Sequence, residues 1–429
     1  MKGPSSRTQL AAVYLAYAFR YLYPLVMLPY YGRVLGPNGY GIVLAGASLS
    51  NSLWLFVGFG FPTVGSRDTV HARDSAERAE ILKAHVTARL LLCVPAMIAG
   101  LVAIYLSLTF RSRPLTGAIV IAMGLTAAFN VGWYLVSTGR ALASIRIEVV
   151  GFVLSFLLIV GFVHHSSDVK RVFPLLLASS GIQLAMAYWL IRSEFRGILG
   201  RLQDAVDLIR RSTTIFIYGG TSVLLAGAST YLLSTMAGPA EVSSFGVAER
   251  LIAAGLSLMS PAAQILVPKV TYMIGRETFR ANRLTRRIFV LFFSGAAMSV
   301  LATVSLSGWL IPLVFGVGFE HSVAVLNLMV FVLPVSVCTQ VLGMYFLVPR
   351  KLERLLARAG VLSAIVNLAC AVPLASHWGA LGMASARLIG ELTMLAVLVA
   401  GMWRAQLLAE LFDIGGKLAM PANDNTIPS

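Results

Sequence analysis

Charged residues are scarce in this chain, and carboxylates are the scarcest. Asp and Glu together number 18 in 429 residues, and the charged types make up 12% of the chain, about half of what soluble domains carry. Hydrophobic residues make up 58%, and the mean hydropathy is +0.81. A soluble chain of this length has no need for so much apolar surface. The composition therefore predicts an integral membrane protein.

Three further absences exclude whole classes of site. Cys93, Cys338 and Cys370 all fall in apolar stretches, so no disulfide framework and no cysteine metal site is predicted. His164 and His165 have no third ligand near them in sequence, so no metal is predicted there, and no cofactor is predicted anywhere. The first apolar stretch lacks a small-residue cleavage site after it, which predicts a retained first span.

Twelve apolar stretches are present, each long enough to cross a bilayer as a helix of about 20 residues. The predicted fold class is therefore an all-α polytopic membrane protein with about 12 transmembrane helices. The predicted spans lie near residues 9–31, 40–61, 85–109, 115–138, 147–163, 173–191, 213–236, 244–267, 288–308, 323–348, 357–373 and 380–403.

The basic residues collect in alternate gaps between these spans. Of the 34 Lys and Arg residues, 25 fall in the gaps on the side of the N-terminus, five fall in the gaps on the other side, and four lie within spans. Because positive charge accumulates in cytoplasmic loops, this split predicts that both termini are cytoplasmic. The five on the other side are Arg33, Arg111, Arg113, Lys170 and Arg171.

The net charge of +16 does not predict a nucleic-acid partner. The basic residues are spread over every inner loop, and they form no single face with interleaved aromatic residues. Solvated loops beside anionic membrane lipid explain the charge better.

Two sequence echoes indicate an internal duplication. The Gly36-Pro37 turn before the second span is repeated as Gly238-Pro239 before the eighth, and Trp133-Tyr134 is echoed by Met344-Tyr345. Both echoes have an offset of roughly two hundred residues, which favours a repeat. We predict an N-terminal six-helix lobe at 1–203 and a C-terminal six-helix lobe at 204–429 with a short cytoplasmic tail, related by an axis along the membrane normal around a central cavity. The loop at 192–212 fits an interfacial amphipathic linker or an ordinary connector, and both interpretations stay open.

Short motifs that carry a family resemblance are spread along the chain. They are LPYYGRVLGP at 28–37 with GYG at 39–41, FGF at 59–61 with SRD at 66–68, QILVPK at 264–269, Asn367, and GALGMA at 379–384 with Glu391 beyond. These segments resemble the polysaccharide-transporter (Wzx-like) flippases of the multidrug, oligosaccharidyl-lipid and polysaccharide exporter superfamily. The similarity covers nearly the whole chain.

The resemblance implies a transporter and not an enzyme. It implies two six-helix lobes in a V that move a polyprenyl-diphosphate-linked oligosaccharide between leaflets of the bacterial inner membrane by alternating access. It also implies partnership with the glycosyltransferases and polymerase of surface polysaccharide synthesis. The chain departs from the commonest family pattern at Ser137-Thr138-Gly139, which leaves the branch of substrate open.

Cations within the spans are the predicted contacts for the diphosphate. Arg20 lies about eleven residues into the first span, and an isolated charge at the bilayer centre costs at least about 3 kcal/mol, so such residues are functional by default. Arg250 and Arg387 are the other candidates. A structural role, in which each cation caps carbonyls or pairs with a carboxylate, is the competing interpretation.

Glu249 and Glu391 are the candidate ion-coupling carboxylates, because they lie within spans beside these cations. Glu391 follows Arg387 by four residues, so the two side chains share a helical face and can neutralise each other. Arg89 lies one turn inside the inner end of its span, where we expect it to extend to the membrane surface as an anchor.

Two alternative functions remain at this stage. A membrane glycosyltransferase or polymerase needs carboxylates at a metal or a large outer loop, but no Asp-x-Asp occurs and the outer loops are short. A multidrug or cation antiporter would use intramembrane acids, and Arg20 would repel its cationic cargo. An anionic lipid-linked cargo fits the residues better.

Overall fold

The computed structural model describes the backbone of residues 6–194, 197, 199–216 and 228–412. Side chains are described within these ranges from residue 26 onward, apart from Ser260 and Phe412. The described ranges are helical, with no β-strand. The N-terminal half contains α1 (Ser6–Gly58), α2 (Phe61–His71), α3 (Ser75–Leu106), α4 (Leu108–Arg111), α5 (Pro114–Ala128), α6 (Gly132–Ser137), α7 (Ala141–Phe162), a 3₁₀ turn (Ser166–Asp168), α8 (Val169–Ile191) and α9 (Leu202–Ile215).

The C-terminal half is built in the same way from long apolar helices and short connectors. It contains α10 (Ser229–Leu233), α11 (Pro239–Ser257), α12 (Met259–Met273), α13 (Thr278–Phe315), α14 (Glu320–Met329), α15 (Val332–Gln340), a π-helix (Val341–Leu347), a 3₁₀ turn (Val348–Arg350), α16 (Glu353–Arg404) and α17 (Leu407–Phe412).

Two glycines divide the longest helices. Helix α1 has 53 residues, which corresponds to about 80 Å, far more than the roughly 30 Å of a hydrocarbon core. It is kinked at Gly36, whose φ is 65°, and α16 is kinked at Gly379, whose φ is 53°. These backbone angles are accessible to glycine without steric cost. Each long helix therefore has two arms, which correspond to the first two and the last two predicted spans.

The all-helical membrane architecture is confirmed. Among the described residues, eight helices are long and apolar enough to cross a membrane, and a bent pair at Pro239–Ser257 and Pro261–Met273 would make a ninth. The predicted span at 213–236 lies partly outside the described residues, because 217–227 are not among them. The number of twelve spans stays a prediction.

The two halves meet where the second arm of α1 crosses α11. At Gly41 the backbones approach so closely that a side chain would meet the carbonyl group of Pro239, and Gly246 of α11 lies against Leu44. Small residues permit such contacts between membrane helices, where lipid supplies no hydrophobic driving force for association. One hydrophobic cluster continues from α1 through α11 into α13 and α14.

A group of aromatic rings and one arginine extends this contact toward the kink of α1 at Gly36 and the C-terminal end of α13. Tyr40 is 2% exposed, and its ring centroid lies 6.1 Å from that of Tyr31 and 6.5 Å from that of Phe315. Arg33 donates through Nε to the carbonyl oxygen of Val314 at 3.1 Å and through Nη2 to that of Leu313. The arginine thereby satisfies carbonyl groups at the C-terminal end of α13.

Further hydrogen bonds join the halves at the same end of the molecule. The Oγ atoms of Ser107 and Ser234 are 3.0 Å apart, and the amide of Leu108 donates to the carbonyl of Ser234 at 3.1 Å. Tyr231 donates its hydroxyl to the carbonyl of Ala103 at 2.6 Å. Within the described residues, the hydrogen bonds between the halves lie on this side of the bundle. We call it the tied end, and the opposite side, which carries most of the basic loops, the basic end.

The linker helix α9 packs at the basic end against the N-terminal half. Arg211 forms an ion pair with Asp68 at 3.0 Å, and the rings of Phe59 and Phe216 stack with centroids 4.3 Å apart. Ala205 and Leu208 pack in one apolar cluster with residues of α2 and α3. Helix α9 is amphipathic, with its apolar face on the bundle, which supports the linker interpretation over a plain connector. The division into lobes at 203/204 stays a prediction.

We predict that Cys at positions 107 and 234 forms a disulfide on oxidation, because the two Oγ atoms are 3.0 Å apart and disulfides need Cβ atoms about 3.5–4.5 Å apart. Cys93, Cys338 and Cys370 are first replaced by Ser, and a protease site is inserted near residue 193. After cleavage, the halves should stay together on a non-reducing gel. The pair Ser107→Cys with Thr278→Cys, on different halves and at opposite ends of the bundle, is the control. Separate halves from the 107/234 pair would contradict the tied end.

Candidate functional site

A cavity of about 1290 Å³ lies between α15, the π-helix and the two arms of α16. Its lining combines apolar residues with polar and charged side chains, as ligand sites do. These polar and charged residues are Thr339, Gln340, Glu353, Arg354, Arg358, Ser363, Asn367, Arg387 and Glu391.

Arg387 and Glu391 form an ion pair in this cavity. The distance between Nη2 and Oε1 is 2.9 Å, and the side chains are 25% and 14% exposed. The arms of α16 hold the pair in place, because Ser363 donates to the carbonyl of Gly390 at 2.7 Å and Asn367 donates to that of Ala386 at 3.0 Å. The spacing of four residues indicated that Arg387 and Glu391 can neutralise each other. The structure shows this ion pair, and it lies on the cavity wall.

Glu249 connects α11 to this pair. Its carboxylate accepts a short hydrogen bond from the hydroxyl of Thr230, and the charges of Arg387 and Arg250 both act on it. Arg250 and Arg387 lie about 16 Å and 12 Å along their helices from the tied end, by the rise of 1.5 Å per residue. Four of the five predicted site residues, Arg250, Glu249, Arg387 and Glu391, therefore lie near mid-membrane depth. Arg387 and Glu391 line the cavity, and Glu249 and Arg250 are not among its lining residues.

Arg250 differs from Arg387 in its pairing. Among the described side chains, no carboxylate oxygen lies within 4.0 Å of the Arg250 guanidinium, although Glu249 precedes it in the chain. The Tyr40 phenol lies within electrostatic range of Arg250, so this cation is close to the crossing of the halves. An unpaired guanidinium in a low-dielectric region is costly, and an anionic ligand would offset that cost.

The fifth predicted residue, Arg20, lies outside the described side chains. The backbone places it in the first arm of α1, 16 positions before Gly36 and therefore about 24 Å from the kink. This position is near the middle of the arm, as the sequence predicts. Its contacts with the cavity stay a prediction.

The anchor role expected for Arg89 is wrong. Arg89 is 1% exposed, and its Nε and Nη1 atoms have no hydrogen-bond partner among the described residues. Its guanidinium carbon lies 5.7 Å from the ring centroid of Phe61 and 5.9 Å from that of Trp133. The reason lies in the tertiary packing, because α2 and α9 pack over this end of α3. The amide of Gly200 also donates a hydrogen bond to Thr87 at 2.9 Å. Together these contacts close the path from Arg89 to the membrane surface.

Sequence reasoning missed the partners of this buried cation. His85, one turn before Arg89 on α3, is 1% exposed, and its ring lies 4.5 Å from that of Trp133. The available signal was the i, i+4 spacing of His85 and Arg89, which places both on one helical face. Nothing in the sequence indicates that α2 and α6 supply rings on that face.

We predict that Arg89→Met does not destabilise the protein. The cation bears a desolvation cost without an ion pair, and apolar replacement of buried charges is often neutral or stabilising. The melting temperature of purified protein in detergent should be unchanged or higher. Arg140→Met is the matched control, because Arg140 pairs with Glu194 at 2.6 Å and its loss leaves that carboxylate unpaired. A drop for Arg89→Met as large as for the control would contradict the prediction.

Comparison with known proteins agrees with this architecture. A family model described as polysaccharide biosynthesis protein matches residues 9–273. A Shigella dysenteriae protein named "Putative O-antigen transporter" is 23% identical over 390 residues, which cover 88% of this chain and 95% of the relative.

Two solved structures share the fold. One is an inward-facing multidrug resistance MATE family transporter of the MOP superfamily, with a TM-score of 0.68, 17% identity, and coverage of 91% of this chain and 95% of that one. The other is the lipid II flippase MurJ in an inward closed conformation, with a TM-score of 0.67, 12% identity, and coverage of 95% and 90%. The family predicted from the motifs is confirmed: this chain belongs to the polysaccharide biosynthesis protein family.

Proposed function

We propose that this chain is a flippase that translocates a polyprenyl-diphosphate-linked oligosaccharide from the cytoplasmic to the outer leaflet of a bacterial inner membrane. It is a transporter and not an enzyme. The observation that carries the proposal is a charged cavity inside a membrane fold, in a chain that aligns over nearly its whole length with a protein named as an O-antigen transporter. This cargo would serve surface polysaccharide synthesis, and the enzymes beside it would be the glycosyltransferases that build it and the polymerase that extends it.

The chemistry of the cargo matches the site. A sugar headgroup cannot cross hydrocarbon unaided, and a buried diphosphate needs charge-assisted donors because it cannot remain solvated. Arg250 is unpaired among the described side chains, and Arg20 lies about 24 Å from the kink in the first arm of α1. We assign the diphosphate to Arg20 and Arg250, with Arg387 as a third contact.

The ion pair supplies a coupling mechanism. When the diphosphate engages Arg387, the arginine exchanges its partner, and Glu391 loses the cation that lies 2.9 Å away. A carboxylate left without a cation in a low-dielectric cavity takes up a proton or a metal cation. Cargo binding and ion uptake thus depend on one exchange of partners.

The arrangement of contacts fits alternating access. Both termini and the basic end would face the cytoplasm, and the tied end, where hydrogen bonds join the halves, would face outward. Opening outward requires separation of Arg33 from the end of α13 and of Ser107 from Ser234. If the diphosphate crosses with about two uncompensated negative charges, a negative-inside potential favours export by roughly 4–5 kcal/mol per 100 mV.

A multidrug antiporter is the second candidate, and the shared fold with a MATE transporter favours it. The site does not favour it. Glu391 is paired with Arg387, and Glu249 lies under the charges of two arginines. Glu391, a carboxylate of the cavity wall, is thus neutralised by a guanidinium, whereas Arg250 has no carboxylate within 4.0 Å among the described side chains and is open to an anionic cargo.

We predict that purified protein in vesicles moves a lipid-linked oligosaccharide across the bilayer faster than protein-free vesicles do, and that it does not export cationic dyes. Accessibility of the sugar to an added enzyme or lectin measures translocation. Dye export without lipid translocation would support the antiporter and contradict the flippase.

In the same vesicles, Arg20→Ala and Arg250→Ala should reduce translocation at least tenfold, because each removes a cation from the diphosphate. Lys at either position should restore only part of the activity, since Lys lacks the bidentate geometry of Arg. Arg210→Ala is the control, because Arg210 is exposed on the linker helix and pairs only loosely with Asp207, at 3.8 Å. Normal transport by both alanine variants at matched expression would contradict these roles.

The orientation can be tested by labelling. Ser166 and His377 are exposed at the tied end, and Ser193 and Thr278 lie at the basic end. Cysteines at 166 and 377 should react with a membrane-impermeant maleimide added to whole cells, and cysteines at 193 and 278 should react only after permeabilisation. The opposite pattern would reverse the proposed orientation.

A further inference from the structure

Glu241 joins three helices at the tied end. It lies in the first turn of α11, and its Oε2 atom accepts a hydrogen bond from the backbone amide of Ala380 at 2.7 Å. Its Oε1 atom lies 3.5 Å from Nε2 of His321 on α14. Ala380 is the first residue of the second arm of α16, so no earlier residue of that arm can accept from its amide. The carboxylate therefore satisfies a backbone group at the kink.

The carboxylate approaches the kink of α16 closely. A side chain at position 379 would overlap it, so glycine is needed there for this contact as well as for its φ of 53°. Among the described residues, the bond from Ala380 is the only side-chain hydrogen bond between α11 and α16. Apolar contacts are not directional, whereas a hydrogen bond joins two particular atoms. The bond to Glu241 therefore specifies which residues of the two helices lie level with each other.

The contact joins two sequence features that the cavity does not use. Ala380 belongs to the GALGMA segment at 379–384, and Glu241 follows the second Gly-Pro turn of the chain. In the first half, the position that matches Glu241 by this Gly-Pro echo is Gly39, which has no side chain to accept a hydrogen bond. The carboxylate is thus particular to the half that contains the ion pair of Arg387.

Two predicted site residues lie at nearly the same distance from this bond. Glu249 follows Glu241 on α11 by eight residues, and Arg387 follows Ala380 on α16 by seven. Both helices run from the tied end toward the basic end, so the rise of 1.5 Å per residue places Glu249 about 12 Å and Arg387 about 11 Å from the level of the bond. The charge of Arg387 acts on Glu249. The interaction of these two side chains therefore depends on the register of α11 against α16.

We infer that Glu241 is a positioning residue for transport: by accepting from Ala380, it fixes the register of α11 against α16 and holds Glu249 within range of Arg387. The inference rests on the proposed function, in which Arg387 exchanges partners when the diphosphate binds. The role requires a side chain that reaches the Ala380 amide with an oxygen atom, and it does not require a charge. A purely stabilising role would change the melting temperature and leave both the register and the transport rate as they are.

Substitutions of Glu241 separate reach from charge in the vesicle assay. Glu241→Gln keeps an oxygen at the same reach and should retain at least half of the wild-type rate. Glu241→Asp keeps the charge but is one methylene shorter, and Glu241→Leu has no acceptor. Both should slow translocation about fivefold or more, as the loss of one hydrogen bond does to an equilibrium. Glu241→Asp carries the test if Glu241→Leu does not fold, and its transport at the wild-type rate would overturn the inference.

Glu320→Leu is the matched control. Glu320 also accepts a hydrogen bond from a backbone amide at the tied end, that of Gly318 at 3.1 Å, but it joins no helix to α16. This variant should translocate within twofold of the wild-type rate. A loss as large as that of Glu241→Leu would overturn the inference, because any hydrogen bond at the tied end would then have the same effect.

The register can also be measured without transport. Spin labels are attached at Leu258→Cys, directly after α11, and at Trp403→Cys, near the end of α16, in a chain whose native cysteines are replaced by Ser; both positions are exposed. Glu241→Gln should keep the wild-type distance distribution. Glu241→Asp and Glu241→Leu should shift or broaden it by about 1.5 Å or more, the rise of one residue. An unchanged distribution in both would overturn the positioning role and leave the flippase proposal standing. The expected shifts in a protein that translocates no lipid would overturn the flippase proposal and leave Glu241 as the residue that sets the register.

Discussion

The contact between the second arm of α1 and α11 is the interaction on which the rest of the structure depends. Two glycines, Gly41 and Gly246, allow the helices to approach more closely than any side chain would permit. In lipid, such close packing replaces the hydrophobic effect as the force that joins helices. Because this contact and the hydrogen bonds beside it lie toward one end, the halves are tied there.

Charge inside the membrane is then handled in three ways. Arg387 is neutralised by Glu391, which makes it a partner that can be exchanged. Arg89 is enclosed by the rings of Phe61 and Trp133, a cation–π arrangement that offsets part of its desolvation without an ion pair. Arg250 has neither kind of partner among the described side chains. This last arrangement is the one that we propose an anionic cargo completes.

Much of the fold could be predicted from the sequence, because span length and loop charge are local properties read directly from the chain. The turn glycines Gly36 and Gly379 fall between predicted spans for the same reason. The burial of Arg89 could not be predicted, since it depends on a linker helix that folds back onto α2 and α3. The grouping of Glu249 with Arg387 could not be predicted either, because it requires the register of α11 against α16.

We propose that the hydrogen bonds between the halves at the tied end are weak enough for the driving force on the cargo to break them. Its hydrogen bonds between the halves, such as those from Arg33 and between Ser107 and Ser234, each contribute about 0.5–1.5 kcal/mol, or up to about 3 kcal/mol where a charge is involved. The membrane potential acting on two charges supplies roughly 4–5 kcal/mol per 100 mV. A few such bonds therefore match the driving force in size. In the proposed mechanism, a bound diphosphate would shift the equilibrium toward an outward-open state.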